Sequence, residues 1–180
     1  MNIPNIITLT RIAMIPVFMW AVGAEYQALA LALFLTASLT DLLDGYLARK
    51  MNQVTNFGKL IDPLADKLLV MSALLYLCAD GSLHVWMAMI ILGREFVITA
   101  LRVVAASAGR DIAAGWSGKI KTVVQIICVS FMISPFADQL LFAGITINTL
   151  AGWLMVAVTA WSGIDYLWKH RGIFGSGVKR

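Results

Sequence analysis

Four aspartates dominate the chemistry this sequence could carry. Asp41, Asp44, Asp62 and Asp66 are four of its ten acidic residues, and each lies at the end of an apolar stretch. Spacing i, i+3 puts Asp41 and Asp44 on one helix face, about 4.5 Å apart along the axis. Spacing i, i+4 does the same for Asp62 and Asp66. The connection from Lys50 to Lys59 is short, so the two carrier helices are expected to be antiparallel neighbours with all four carboxylates at one depth. An unpaired carboxylate within a bilayer costs about 3 kcal/mol on insertion scales, and four together also repel. Lys67 lies about 100° round the helix from Asp66, and Arg49 follows Asp44 by five residues; neither can neutralise the set. Divalent metal is the natural counter-charge, and hard oxygen ligands favour Mg²⁺, Mn²⁺ or Ca²⁺ over zinc. Two ions about 3.5–4 Å apart would stabilise the attacking and leaving oxygens of an in-line phosphoryl displacement. Helix capping by Asp62, or ordinary interfacial charge, accounts for single members but not for the constellation.

The elements that must hold these acids are read from the apolar pattern. The chain has 180 residues, 60% of them hydrophobic and 13% charged, against about a quarter charged in soluble domains. Six apolar stretches run over 6–22, 27–48, 60–79, 84–107, 118–135 and 141–168, several of them bounded by Gly23, Asp80-Gly81, Gly109 and Pro135. The expected fold class is an all-α integral membrane protein with six transmembrane helices, one domain over 1–180, and a mobile basic tail over 172–180. Basic residues gather at Arg49-Lys50, Arg110 to Lys121 and Lys169 to Arg180, while the connections on the other side carry Glu25, Asp80 and Asp138. That asymmetry predicts both termini in the cytoplasm. No basic stripe suggests a nucleic-acid partner. Cys78 and Cys128 sit in apolar runs and read as small buried hydrophobes.

The first segment is unusual. Pro4 suits a first helical turn; Asn5, Thr8 and Arg11 follow at i, i+3 and i+6, and part of the segment is expected along the interface before Pro16 redirects it. Pro4, Asn5 and Arg11 make a cleaved leader an unsuitable reading. Arg11 fits either snorkelling to headgroups or a place in a site. On the second helix, Asp41, Asp44 and Ala48 share a face, with Gly45 alongside and Gly58 before the third helix. Such small residues let helices approach or let a flat nucleotide reach the backbone.

Asp41-Leu-Leu-Asp44-Gly45-Tyr-Leu-Ala48-Arg49, eight residues, Gly58, three residues, Asp62, three residues and Asp66 together spell D-x2-D-G-x2-A-R-x8-G-x3-D-x3-D. This resembles the motif of the CDP-alcohol phosphatidyltransferase family, whose six-helix fold would cover nearly the whole chain. The resemblance implies that Asp41, Asp44, Asp62 and Asp66 bind two Mg²⁺ or Mn²⁺ ions and that Asp66 is also the general base. It further implies that Gly45, Ala48, Arg49 and Gly58 shape the CDP site, joined by Asn5, Thr8 and Arg11, and that the protein forms a homodimer in membrane lipid. Pro4-Asn5-Ile-Ile-Thr8-Leu-Thr10-Arg11, Gly93-Arg94-Glu95 and Gly118-Lys119-Ile-Lys121-Thr122 look like the bacterial branch that makes phosphatidylglycerol phosphate from CDP-diacylglycerol and sn-glycerol 3-phosphate. That small, doubly charged acceptor needs fixed cations. Arg94 and Arg102 share a face at i, i+8, and Lys119 and Lys121 enter from the next helix. A structural ion pair for Arg94 and a headgroup anchor for Lys121 are the competing readings. Other acceptors (inositol phosphate, inositol or serine) and, more remotely, a divalent-cation transporter are the alternative functions.

Overall fold

A computed structural model describes residues 3–50, 56–107, 115–134, 141–142 and 145–171, without the side chains of 3–6, 41–50, 56–63, 66, 141–142 and 145. The described elements are α1 (Ile3–Gly23), α2 (Gln27–Lys50), α3 (Asn56–Ala79), α4 (Val85–Ser107), α5 (Trp116–Ile133), a short β1–β2 pair (Leu141–Phe142, Ile145–Thr146) and α6 (Ile147–Lys169). Five of the six expected stretches become helices whose ends shift by four residues or fewer. The sixth is shorter than expected at its start. Residues Leu141–Phe142 pair antiparallel with Ile145–Thr146, and α6 begins only after Thr146, whose hydroxyl caps it by accepting from the Thr149 amide at 3.2 Å. An apolar run read by periodicity does not distinguish strand from helix; the cap is what sets the boundary. In the first segment α1 is one helix from Ile3 to Gly23 with Pro16 inside it. The expected tail, and Gly109, Pro135 and Asp138, lie outside the described residues.

Helices α1, α2 and α3 pack on one another, α6 packs on α4 and α5, and α2 joins the two groups through α5. Because connections alternate ends, one end of the bundle carries the α2–α3 and α4–α5 links and the other the α1–α2 and α3–α4 turns. The far turns are tight. Glu25 takes a left-handed φ of 61°, and Tyr26 N–H donates to Ala21 C=O while Glu25 N–H donates to Val22 C=O, so the pair closes the last turn of α1.

The interior is divided along its length. Toward the far end it is apolar, with Phe18, Phe34, Leu74, Leu77, Ile91, Val129 and Met155 fully enclosed. The Phe18 and Phe34 rings lie 6.0 Å apart at a tilt, an arrangement that contributes about 1 kcal/mol beyond burial. Most of the enclosed polar side chains, Thr8, Arg11, Ser38, Ser117, Lys121, Gln125, Thr159 and Ser162, lie from mid-bundle toward the near end, and Asn148 is enclosed at the far end. The outside reverses the pattern of a soluble protein. Leu75, Phe96, Val103, Phe131, Leu154 and Ile164 all face outward, and all six tryptophans are half or more exposed. Trp20, Trp86, Trp116 and Trp168 lie within a turn of a helix end, where indoles favour a membrane–water boundary. Among the described residues, Trp116–Ile133 and Ile147–Lys169 are long and apolar enough to cross a membrane. These features are those of a membrane protein.

Close approach of α4 and α6 depends on Gly152. A Cβ there would stand 2.7 Å from Met87 Sδ and 3.1 Å from Leu83 Cδ1. Gly152→Val should therefore lower stability by about 1–3 kcal/mol, seen as a reduced thermal midpoint in detergent. Gly93→Ala, where nothing lies within 4 Å, should leave the midpoint unchanged or raise it slightly.

Candidate active site

The acid pairs are placed by the helices that carry them. Asp41 and Asp44 belong to the last turns of α2, and Asp62 and Asp66 to the first turns of α3. These helices are neighbours, joined by residues 51–55, so the backbone brings both pairs to the near end of the bundle. The side chains of Asp41, Asp44, Asp62 and Asp66, with those of Asn5, Ala48 and Arg49 and the surroundings of Gly45 and Gly58, lie outside the described residues. As a donor set, four carboxylates from two adjoining helix ends fit hard divalent cations.

Beside them α1 contributes two enclosed polar residues. Thr8 and Arg11 are each 1% exposed, and both are engaged in polar contacts. Arg11 therefore turns into the bundle and does not reach outward to headgroups. On α3, Lys67 follows Asp66 directly and its Nζ donates to the Thr99 hydroxyl of α4, which itself donates to the Glu95 carbonyl at 2.7 Å.

Glu95 is the centre of the neighbouring charge cluster. Its Oε1 accepts from Arg94 Nη1 and from Lys121 Nζ, both at 2.8 Å. Arg94 Nη2 also donates to the Ser162 hydroxyl of α6 at 2.5 Å. One carboxylate thus ties α4 to α5, and one guanidinium ties α4 to α6. The Arg94 stem passes close to α6 because Gly163 has no side chain; a Cβ there would meet Arg94 Cγ at 3.3 Å. The group is enclosed, with side-chain exposures of only 13% for Arg94 and 6% for Lys121, and Lys121 has a further contact besides Glu95. The competing reading of Arg94 as a structural pair is realised in part, through an acid on its own helix.

The other expected cations separate. Arg102 lies over the Tyr166 ring, 5.5 Å from its centroid, and its Nε is buried with no hydrogen-bond partner among the described residues. It remains on the α4–α6 side, near Arg94. Lys119 points elsewhere: it is exposed and stacks over Trp116 at 5.5 Å. Two residues apart on a helix are about 200° apart, so Lys119 and Lys121 cannot face the same space. Further along, Ser117 donates to Asp165 Oδ2 at 2.5 Å, and Lys169 Nζ holds the same oxygen at 2.8 Å.

Sequence reasoning did not single out Glu95, Thr99, Ser162, Tyr166 or Gln125 as site residues. A usable signal was present on α5, where Ser117, Lys121 and Gln125 recur at i, i+4 and i+8 within an apolar run. Polar residues at that spacing in a lipid-facing helix mark its inward face. For Ser162 and Tyr166 the same spacing holds on α6.

Residues 1–161 match the model of the CDP-alcohol phosphatidyltransferase family. A CDP-diacylglycerol–glycerol-3-phosphate 3-phosphatidyltransferase of Bacillus subtilis (strain 168) is 45% identical over 177 residues, covering 84% of this chain and 92% of its own length. A probable phosphatidylglycerophosphate synthase of Mycobacterium tuberculosis is 38% identical, covering 92% of this chain and 80% of its own. A CDP-diacylglycerol–glycerol-3-phosphate 3-phosphatidyltransferase of Haemophilus influenzae is 36% identical over 95% and 94% of the two chains.

Removing the shared carboxylate tests how much the cluster holds. Glu95→Leu should cost about 3 kcal/mol or more, because enclosed cations lose their counter-charge. Glu95→Gln, which keeps an acceptor oxygen, should cost less. Thermal unfolding in detergent reads both, and two wild-type midpoints would show that the ion group does not hold the helices together.

Proposed function

The chain belongs to the CDP-alcohol phosphatidyltransferase family, and we propose that it transfers the phosphatidyl group from CDP-diacylglycerol to sn-glycerol 3-phosphate, releasing phosphatidylglycerol phosphate and CMP. The observation that carries this reading is the juxtaposition of the enclosed cations Arg94 and Lys121 with the helix ends bearing the two acid pairs. A donor that leaves as a nucleotide needs the acids and their counter-ions. An acceptor that is itself a phosphate needs the cations. Relatives named for this reaction support the choice of acceptor.

The chain's own residues divide the work. Asp66 takes the proton of the acceptor's 1-hydroxyl, and that oxygen attacks the phosphorus bearing diacylglycerol. The bond from this phosphorus to the bridging oxygen breaks, and CMP departs with the bonding pair. Divalent cations, Mg²⁺ or Mn²⁺, held by Asp41, Asp44, Asp62 and Asp66 supply the charge neutralisation that makes CMP a good leaving group. Arg94, Arg102 and Lys121 hold the acceptor's phosphate by charge-assisted hydrogen bonds. Lys119, exposed above Trp116, draws the anion toward the mouth. Thr8 and Arg11, with Asn5, Gly45, Ala48, Arg49 and Gly58, line the CDP side. No covalent intermediate on the protein is needed.

We place the six helices across the cell membrane as a multi-pass bundle, with both termini and the site at the cytoplasmic face. Outward tryptophans at both rims support the span, and basic residues at the near end support the orientation.

Purified protein supplied with radiolabelled CDP-diacylglycerol should release CMP with glycerol 3-phosphate and not with inositol phosphate, inositol or serine; strict dependence on inositol phosphate would overturn the acceptor. Chelation should stop turnover, and Mg²⁺ or Mn²⁺ should restore it. Asp66→Asn should lower kcat by about a hundred- to ten-thousandfold with an unchanged thermal midpoint, and full activity in that variant would remove Asp66 as the base.

A further inference from the structure

A cavity lies between α2, α3, α4 and α5, lined on its polar side by Ser38, Lys67, Glu95, Lys121, Thr122 and Gln125. Its position follows from its walls: Ser38 is one turn before Asp41, and Lys67 is the residue after Asp66. It therefore adjoins the segments carrying the acid pairs. Most of its polar groups are already engaged. Lys121 is bound to Glu95, Lys67 to Thr99, and Thr122 to the Gly118 carbonyl at 3.1 Å. Gln125 is different. It is 3% exposed, sits one turn deeper than Lys121 on the same face of α5, and its Nε2 is buried with no hydrogen-bond partner among the described residues. An orphaned buried amide donor is costly unless something fills the place opposite it.

We infer that Gln125 is a specificity residue for the acceptor and that its amide hydrogen-bonds the acceptor's C2 hydroxyl. The inference rests on the acceptor proposed above. Glycerol 3-phosphate has three polar ends. Its phosphate goes to the cations, of which Lys121 lines this cavity, and its 1-hydroxyl to the reacting phosphorus, which leaves the C2 hydroxyl as the group without an assigned partner. A hydroxyl buried without a hydrogen bond is itself unfavourable. The orphaned amide at the cavity floor and the unassigned hydroxyl satisfy one another. A site built on such a pair rejects an analogue that lacks the hydroxyl, because the amide is then left unmatched.

The test crosses one variant with one analogue. Gln125→Met keeps the volume and removes the amide, and a buried apolar replacement of an orphaned group should fold at least as well as wild type. The acceptors are sn-glycerol 3-phosphate and 3-hydroxypropyl phosphate, which lacks the C2 hydroxyl. With glycerol 3-phosphate, Gln125→Met should raise KM about three- to tenfold with little change in kcat. With the analogue, wild type and variant should give the same KM within error. Equal losses on both acceptors, or no loss on glycerol 3-phosphate, would overturn the inference and leave Gln125 as a partner for structural water. Failure of the wild-type protein to use glycerol 3-phosphate at all would instead overturn the acceptor reading, so the two failures are distinguishable.

Discussion

Everything at the working end of this bundle depends on enclosing charge where water is scarce. The Glu95 carboxylate makes that enclosure tolerable. It lies between Arg94 and Lys121 and lets α4 and α5 bring two cations inward without leaving either against an apolar wall. The Ser162 contact then fixes the Arg94 fork, and Gly163 gives the arginine stem room beside α6. Because lipid offers no hydrophobic drive for helices to associate, this group, with Ser117–Asp165 between α5 and α6 and Arg102 over Tyr166 between α4 and α6, is what keeps the polar faces of three helices together. The apolar packing toward the far end supplies the complementary constraint. Phe18, Phe34, Leu74 and Ile91 fill that half with enclosed apolar side chains.

Much of this was legible in the sequence, for identifiable reasons. The helices that carry the aspartates could be read from the apolar pattern, which puts residues 41 and 44 near the end of α2 and 62 and 66 near the start of α3. Helix ends could be read wherever a turn residue or charge interrupts the apolar run, as at Gly23 and Asp80-Gly81. The start of α6 could not, because Leu141 to Thr146 is as apolar as the helix that follows and only the Thr146 cap separates them. Lys119 and Lys121 looked equivalent for a similar reason. Both are basic residues at one helix start, and only the packing of α5 decides which of the two faces inward.

Glu95 and Gln125 show a different limit. Glu95 was visible as part of a short similar segment, but its value lies in joining residues 26 positions apart in the chain, Glu95 and Lys121. Gln125 carries no charge and belongs to no motif. A lone amide inside an apolar stretch becomes informative only when its hydrogen-bond partners are sought and none is found. The acid pairs are thus a matter of local spacing, while the cluster around Glu95 and Gln125 is a product of tertiary assembly.

The exposed tryptophans at the helix ends carry a consequence for how such an enzyme meets its substrates. Trp116 and Trp168 mark the near rim, the height at which lipid headgroups sit. A donor with two acyl chains anchored in the bilayer already presents its pyrophosphate at that height. Lifting such a molecule into water would cost about 0.8 kcal/mol for every methylene exposed. A protein moored by its indoles at the headgroup layer avoids that cost, because one reactant arrives by sideways diffusion and the other from the aqueous side. The encounter is then two-dimensional for the lipid and three-dimensional for the acceptor, and the depth of the mooring becomes a kinetic parameter of the enzyme.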